Sequence, residues 1–191
     1  MLLQIFLLLA STACDLLTVA LLARFALQAM RAPFRNSLGQ FLLAATNWMV
    51  IPARRLIPSA FGYDTSSLLL AWLWQVAFLG LMSGLSGTVN AISLTPMLSV
   101  AVMAALDTVK IAIYMTMGIV FASAIFSWVN PYAPMAGVVN QFARPLLRPF
   151  QRFIPPLGGV DLSPIALLLA LQILLIVLAS IRSSLLPWLL S

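Results

Sequence analysis

The stretch Pro149-Phe-Gln-Arg-Phe-Ile-Pro-Pro-Leu-Gly-Gly-Val-Asp-Leu-Ser-Pro164 lies between long apolar runs, and its skeleton occurs twice. An ungapped shift of 97 positions carries Pro149 onto Pro52, Arg152 onto Arg55, Ile154 onto Ile57 and Pro155 onto Pro58. The same shift carries Gly159 onto Gly62, Asp161 onto Asp64, Ser163 onto Ser66 and Gln172 onto Gln75. Eight identities in one register, in residue types that punctuate a chain, define an internal repeat. The chain is expected to be two copies of one unit, residues 1–93 and 94–191, each built around this loop.

The apolar runs around the loop decide the solvent. Of 191 residues 63% are hydrophobic and 7% charged, where soluble domains carry about 25% charged residues. Such a chain cannot cover itself in water, so lipid must be part of its solvent. There is no His, which removes the usual metal ligand and the usual general base near neutral pH. The single Cys14 excludes an intrachain disulfide and an all-Cys metal site. Met1 to Ala13 has no Lys or Arg before it, and its apolar character continues past Cys14 to Ala23. That favours a retained membrane helix over a cleaved signal. Ser11 stands where a lipoprotein signal favours an aliphatic residue, which argues against lipidation of Cys14.

A spanning helix needs about 20 predominantly apolar residues. Leu2 to Leu27 is the first candidate, stopped by Pro33. Leu38 to Val50 is too short to span and is expected to end at Pro52. Leu38, Phe41, Leu42, Ala45 and Trp48 share one side of it, with Gln40, Ala44 and Asn47 opposite, a pattern suited to a helix in the interface plane. Ser67 to about Thr88 is the second span, and its end offers Gly80-xxx-Gly84 and Ser83-xxx-Gly87 for close helix approach. Val89 to Pro96 reads as an uncharged connector. Met97 to Val129 exceeds a bilayer and should tilt, kink or protrude. Asn130 to Pro134 reads as a turn. Met135 to Phe150 is a second surface segment, where Pro145 is expected to give two short pieces. Ser163-Pro164 opens the last span, to about Leu186.

The expected fold is all-α and membrane-embedded, in two tandem parallel repeats. Each holds a long transmembrane helix, a short interfacial helix, a basic Pro/Gly loop and a second transmembrane helix, four spans in all. Two spans per unit predict a parallel repeat about an axis along the membrane normal. Arg24, Arg31, Arg35, Arg54 and Arg55 gather at one internal loop, and Arg144, Arg148 and Arg152 at the other. The positive-inside rule places both loops in the cytoplasm and both termini outside. Arg182 is the one dissenter, free to snorkel or to pair.

Four acids fall into two pairs. Asp64 and Asp161 match across the loops. Asp-Leu-Ser-Pro reads as a helix start, with Ser163 capping free amides and Asp161 meeting the helix dipole or pairing with Arg152 or Arg148. Asp15 and Asp107 lie inside spans, where a carboxylate costs at least ~2.5 kcal/mol and marks a pathway, a relay or a buried pair. Lys110 is one turn after Asp107, and Tyr114 continues that face. Ser11, Asp15 and Thr18 form a polar stripe on the first helix. Interhelical contacts holding the units together, an ion or proton route between them, or an Asp107 near water all fit this pattern. The basic loops suit anionic lipid headgroups or an acidic partner. No nucleic-acid platform, phosphate-binding glycine loop, nucleophile elbow or metal-ligand cluster is present, so neither an enzyme nor a cofactor is expected.

Arg144-Pro145-Leu-Leu-Arg148-Pro149, followed by Arg152, Pro155, Gly159, Asp161 and Pro164, closely resembles the signature of the YggT family, also called YlmG. Pro52 to Asp64, with Arg55 and Pro58, is similar in weaker form; Ser59, Phe61 and Ser67 stand where the second copy has Pro156, Gly158 and Pro164. The resemblance covers essentially the whole chain. It implies a small integral membrane protein of a kind found in bacteria, cyanobacteria and plastids. Bacterial members are linked to osmotic tolerance, ion uptake and cell-division gene neighbourhoods. Plastid relatives are linked to cytochrome b6f assembly and nucleoid distribution. No catalytic residue is implied. Two functions follow as expectations: a scaffold or assembly factor acting through the basic loops, or an ion-uptake component with a polar seam at Asp15, Asp107 and Lys110. A membrane-protein partner or a second copy of the chain would suit either.

Overall fold

A computed structural model describes residues 1–30, 36–56, 65–85, 94–130, 135–153 and 161–190. It is all-helical: α1 (Leu2–Ala29), α2 (Ser37–Leu56), α3 (Thr65–Leu85), α4 (Leu94–Val129), α5 (Ala136–Phe153) and α6 (Ser163–Leu190). Four helices are long and apolar enough to cross a membrane, over Leu2–Ala29, Thr65–Leu85, Met97–Ser127 and Ser163–Leu185. Most of their side chains face outward. Leu2 is 85% exposed, Leu169 62% and Ile176 62%. Water does not tolerate apolar surface on this scale, and lipid does. The protein is therefore a multi-pass membrane protein.

The order long helix, short helix, spanning helix occurs twice. Within the first unit α1 packs on α3, and α2 against both; within the second, α4 packs on α6, and α5 against both. The units join where α4 meets α1 and α3. Closed two-fold symmetry would place α6 on α1 as α3 lies on α4, and α6 makes no comparable packing there. Among the described residues the packing between the units is thus unequal, and α4 meets α1, α3, α5 and α6. The long segment from residue 97 is one unbroken helix of 36 residues, about 54 Å, starting at Leu94 inside the expected connector.

Three small cores hold this together. Ala20 and Leu27 of α1 meet Leu42 of α2 and Phe142 of α5. Leu21, Leu22, Val50, Ala71 and Ile111 join α1 through α4. Val120, Ala143, Leu147 and Leu167 join α4 to α6. The buried stripe of α2 is Gly39, Leu42, Thr46, Val50 and Ala53, while Phe41 and Trp48 point outward. Helical spacing predicts Phe41 and Trp48 on the same side as Leu42, and the structure turns them away from it. Asn47, read as outward, is half-buried and faces α1.

Neither proline rule held. α2 continues through Pro52 to Leu56, and α5 is a single helix through Pro145 and Pro149. A proline leaves the carbonyl four residues earlier without its amide. Those carbonyls belong to Trp48, Gln141 and Pro145, and all three residues are exposed, as are the prolines themselves. The freed oxygens lie on an outward face, where water or headgroups can satisfy them. The small-residue motif also differs from expectation. A Cβ on Gly80 would meet only the Val100 Cγ1 at 4.0 Å, and one on Gly84 would meet nothing within 4 Å. Close approach through these glycines is therefore absent; Ser83 bonds its own helix at the Gly80 carbonyl, and Gly87 lies outside the described residues.

Candidate functional site

Three of the polar sites among the described residues tie helices within one unit. The first ties α1 to α3. Thr18 is fully buried and donates to the Cys14 carbonyl. Gln75, 3% exposed, donates from Nε2 to Asp15 Oδ1 and to Thr18 Oγ1, each at 3.2 Å. Asp15 itself is exposed. From Thr65 to Gln75 α3 rises about 15 Å, half the ~30 Å hydrocarbon layer, so this site sits at mid-depth. Cys14 is buried within α1.

The second site ties α1 to α2. Arg24, which the sequence reading placed with the loop charges, is 3% exposed. Its Nη1 donates to Thr46 Oγ1 at 2.8 Å and to Asn47 Oδ1 at 2.9 Å. The second unit has a neutral counterpart, where Ser123 Oγ donates to Asn140 Oδ1 at 2.7 Å.

The third site lies between α4 and α6. Arg182 bonds Asp107 directly, and Lys110 Nζ is 3.9 Å from the same oxygen. The dissenting arginine thus has its partner. A groove of about 220 Å³ opens here, lined by Asp107, Lys110, Tyr114, Arg182 and leucines of both helices. Asp15 and Asp107 therefore belong to separate helix pairs, and the structure does not join Asp15, Asp107, Lys110 and Tyr114 into one seam between the units.

The loop residues divide differently. Arg144, Arg148 and Arg152 recur every fourth residue on the exposed side of α5. Arg144 and Arg148 line an open groove of about 670 Å³ with Gly137, Asn140, Gln141 and Pro145, and no acid is among these. Asp161 does not pair with Arg148 or Arg152. It accepts the Ser163 amide at 2.9 Å through Oδ1 and the Gln151 amide at 2.8 Å through Oδ2. The carboxylate, not the Ser163 hydroxyl, caps the first turn of α6; that hydroxyl is buried without a partner. Burial pushes the Asp161 pKa up, but the hydrogen bonds it accepts from the Ser163 amide and Gln151 outweigh it and hold the group below its usual value of 3.8. Arg55 is exposed at the end of α2. Pro58, Asp64, Pro155 and Gly159 lie outside the described residues.

Among the described residues no three His, Cys, Asp or Glu side chains group as metal ligands. Of the contacts above, the sequence reading missed those of Gln75, Arg24, Thr46 and Gln151. Gln75 had a visible signal, since it is one of the eight repeat identities and lies between apolar neighbours.

The family model described as CCB3/YggT matches residues 3–85 and again 102–182, one match to each unit. An uncharacterized protein of Pseudomonas aeruginosa is 38% identical over 162 residues, 84% of this chain and 81% of that one. The uncharacterized YggT of Escherichia coli K12 is 32% identical over 170 residues, 87% and 85% of the two chains. An uncharacterized protein of Vibrio alginolyticus is 33% identical over 166 residues, 86% and 88%. No solved structure shows a significant match.

Proposed function

The chain belongs to the CCB3/YggT family, and on that premise we propose a non-enzymatic scaffold of the bacterial inner membrane that serves envelope and osmotic homeostasis. Its basic faces lie on the cytoplasmic side, where they dock an acidic partner. The observation that carries this reading is the row Arg144, Arg148 and Arg152 on the outer side of α5. Three guanidiniums about 6 Å apart along a helix form a linear cationic strip. Among the described residues no carboxylate lines the groove of Arg144 and Arg148, and Asp161 shares only an adjoining one with Arg144. Guanidiniums grip carboxylates in a bidentate fork, so such a strip suits an acidic segment laid along it.

The test is complementation. In a strain lacking the chain, the wild-type protein should restore growth after osmotic upshift. A variant carrying R144Q, R148Q and R152Q, inserted to the same level, should not. Equal restoration would refute docking through α5.

An ion-uptake component is the second reading, and one observation favours it: Asp15 is an exposed carboxylate at mid-depth, held by Gln75 alone among the contacts described. Flux of K⁺, Na⁺ or H⁺ through the protein in liposomes, lost on Asp15→Asn, would establish it. Absence of flux at verified insertion would remove it.

A further inference from the structure

The α4–α6 groove carries charge that the scaffold reading does not use. Asp107 is 14% exposed, while Lys110 is 46% and Arg182 39% exposed. The carboxylate is turned into the helix pair, and the cations stand at the mouth. One acid against two bases leaves the groove with a net positive charge. Its walls are apolar, formed by Leu106, Leu175 and Leu178.

Depth decides what can neutralise it. From Ser163 to Arg182 α6 rises about 28 Å, close to the ~30 Å thickness of the hydrocarbon layer. The cluster therefore sits at the boundary opposite the start of α6, which favours an Asp107 near water over one deep in the bilayer. An uncompensated cation there meets the plane of lipid phosphates. Guanidinium and ammonium together match a phosphate monoanion. A volume of about 220 Å³ accepts a headgroup but not a whole lipid, so the acyl chains must run out along the leucine wall.

We propose that this groove is a binding site for one anionic phospholipid, with its phosphate on Lys110 and Arg182 and a chain along Leu175 and Leu178. A net negative head balances the groove; a choline head would bring back a positive charge. Each well-placed cation at a membrane surface contributes about a fivefold gain in affinity.

Native mass spectrometry of the full chain would test this, in an R144Q/R148Q/R152Q background that removes the α5 strip. Phosphatidylglycerol should be retained about fivefold more tightly than phosphatidylcholine with the same chains. K110Q should abolish that preference. D107N should raise phosphatidylglycerol retention about fivefold, because it frees the second cation. Loss of the wild-type preference would overturn the site, as would a K110Q variant that keeps it or a D107N variant that binds less. Inorganic phosphate that competes as well as the lipid would overturn the lipid assignment. If D107N fails to fold by circular dichroism, K110Q alone decides. The scaffold reading is untouched by any of these results, since its own strip is absent from every arm.

Discussion

Thr46→Val tests the α1–α2 tie most directly. Valine fills the same volume and removes only the hydroxyl. Thr46 is fully buried, and its Oγ1 accepts from Arg24 at 2.8 Å. A buried charged donor that loses an acceptor costs about 1.5–3 kcal/mol. Two facts favour the lower end. Arg24 keeps Asn47, at 2.9 Å. Polar contacts between membrane helices also measure small, averaging about 0.6 kcal/mol and reaching about 1.7. The expected loss is therefore about 1.5 kcal/mol. The hydroxyl's own bond to the Leu42 carbonyl adds little, because that carbonyl already serves the helix ladder. Equilibrium unfolding in mixed micelles titrated with dodecyl sulfate would read the difference. Thr46→Ser should retain wild-type stability within ~0.5 kcal/mol. In an Arg24→Leu background, Thr46→Val should cost almost nothing. A Thr46→Val loss below ~0.5 kcal/mol, or an equal loss in both backgrounds, would refute the tie.

Further outcomes follow from other contacts. Ser123→Ala should cost about 1 kcal/mol in the same titration by removing the α4–α5 bond to Asn140. Gly80→Ala and Gly84→Ala should each be neutral or stabilise by about 0.5–1 kcal/mol, since a Cβ at Gly80 makes only an ordinary contact, one at Gly84 makes none, and alanine is the better helix former; a clear loss would restore the close-packing motif. Asp161 has a folded pKa below 3.8, so its contribution is fully present above the unfolded value and is lost as pH falls through the lower folded one. Asp161→Asn should therefore flatten this part of the acid dependence of thermal stability, visible as a smaller difference between pH 5 and the acid limb. A slope unchanged by the substitution would remove Asp161 from the account.

The spans were legible because length and apolarity alone define them. The structure places α1 and α3 within about three residues of the expected ends. The prolines misled because the proline rule assumes that a freed carbonyl has nowhere to turn. At Pro52, Pro145 and Pro149 the carbonyls face out of the fold, which hydropathy does not reveal. Asp107 was legible as an acid within an apolar segment, and Lys110 three residues on was a visible partner. Arg182 supplies the closer bond from 75 positions away, a distance that no local pattern encodes. Arg24 was legible as a charge but not as a buried one, since its role depends on Thr46 folding back across α1.

The two units share a backbone plan and divide its chemistry. Under the repeat shift, Arg144, Arg148 and Arg152 of α5 correspond to Asn47, Ile51 and Arg55 of α2. Only Arg55 keeps the cation. Where α5 shows Arg144 to the outside, α2 turns Asn47 inward to accept from Arg24. At this position the first unit thus makes an internal tie where the second displays a cation. The same contrast holds at the spanning pairs. Gln75 joins α3 to α1 at Asp15, whereas its counterpart Gln172 stands exposed on α6. Its unit is tied a few turns further along by Arg182 and Asp107. A duplicated fold whose copies were interchangeable would carry both sets of contacts twice. Among the described residues this one carries each once, so partner binding should follow the second unit. Arg54→Gln with Arg55→Gln should disturb complementation less than the α5 triple variant; an equal or greater defect would show that both basic faces act together.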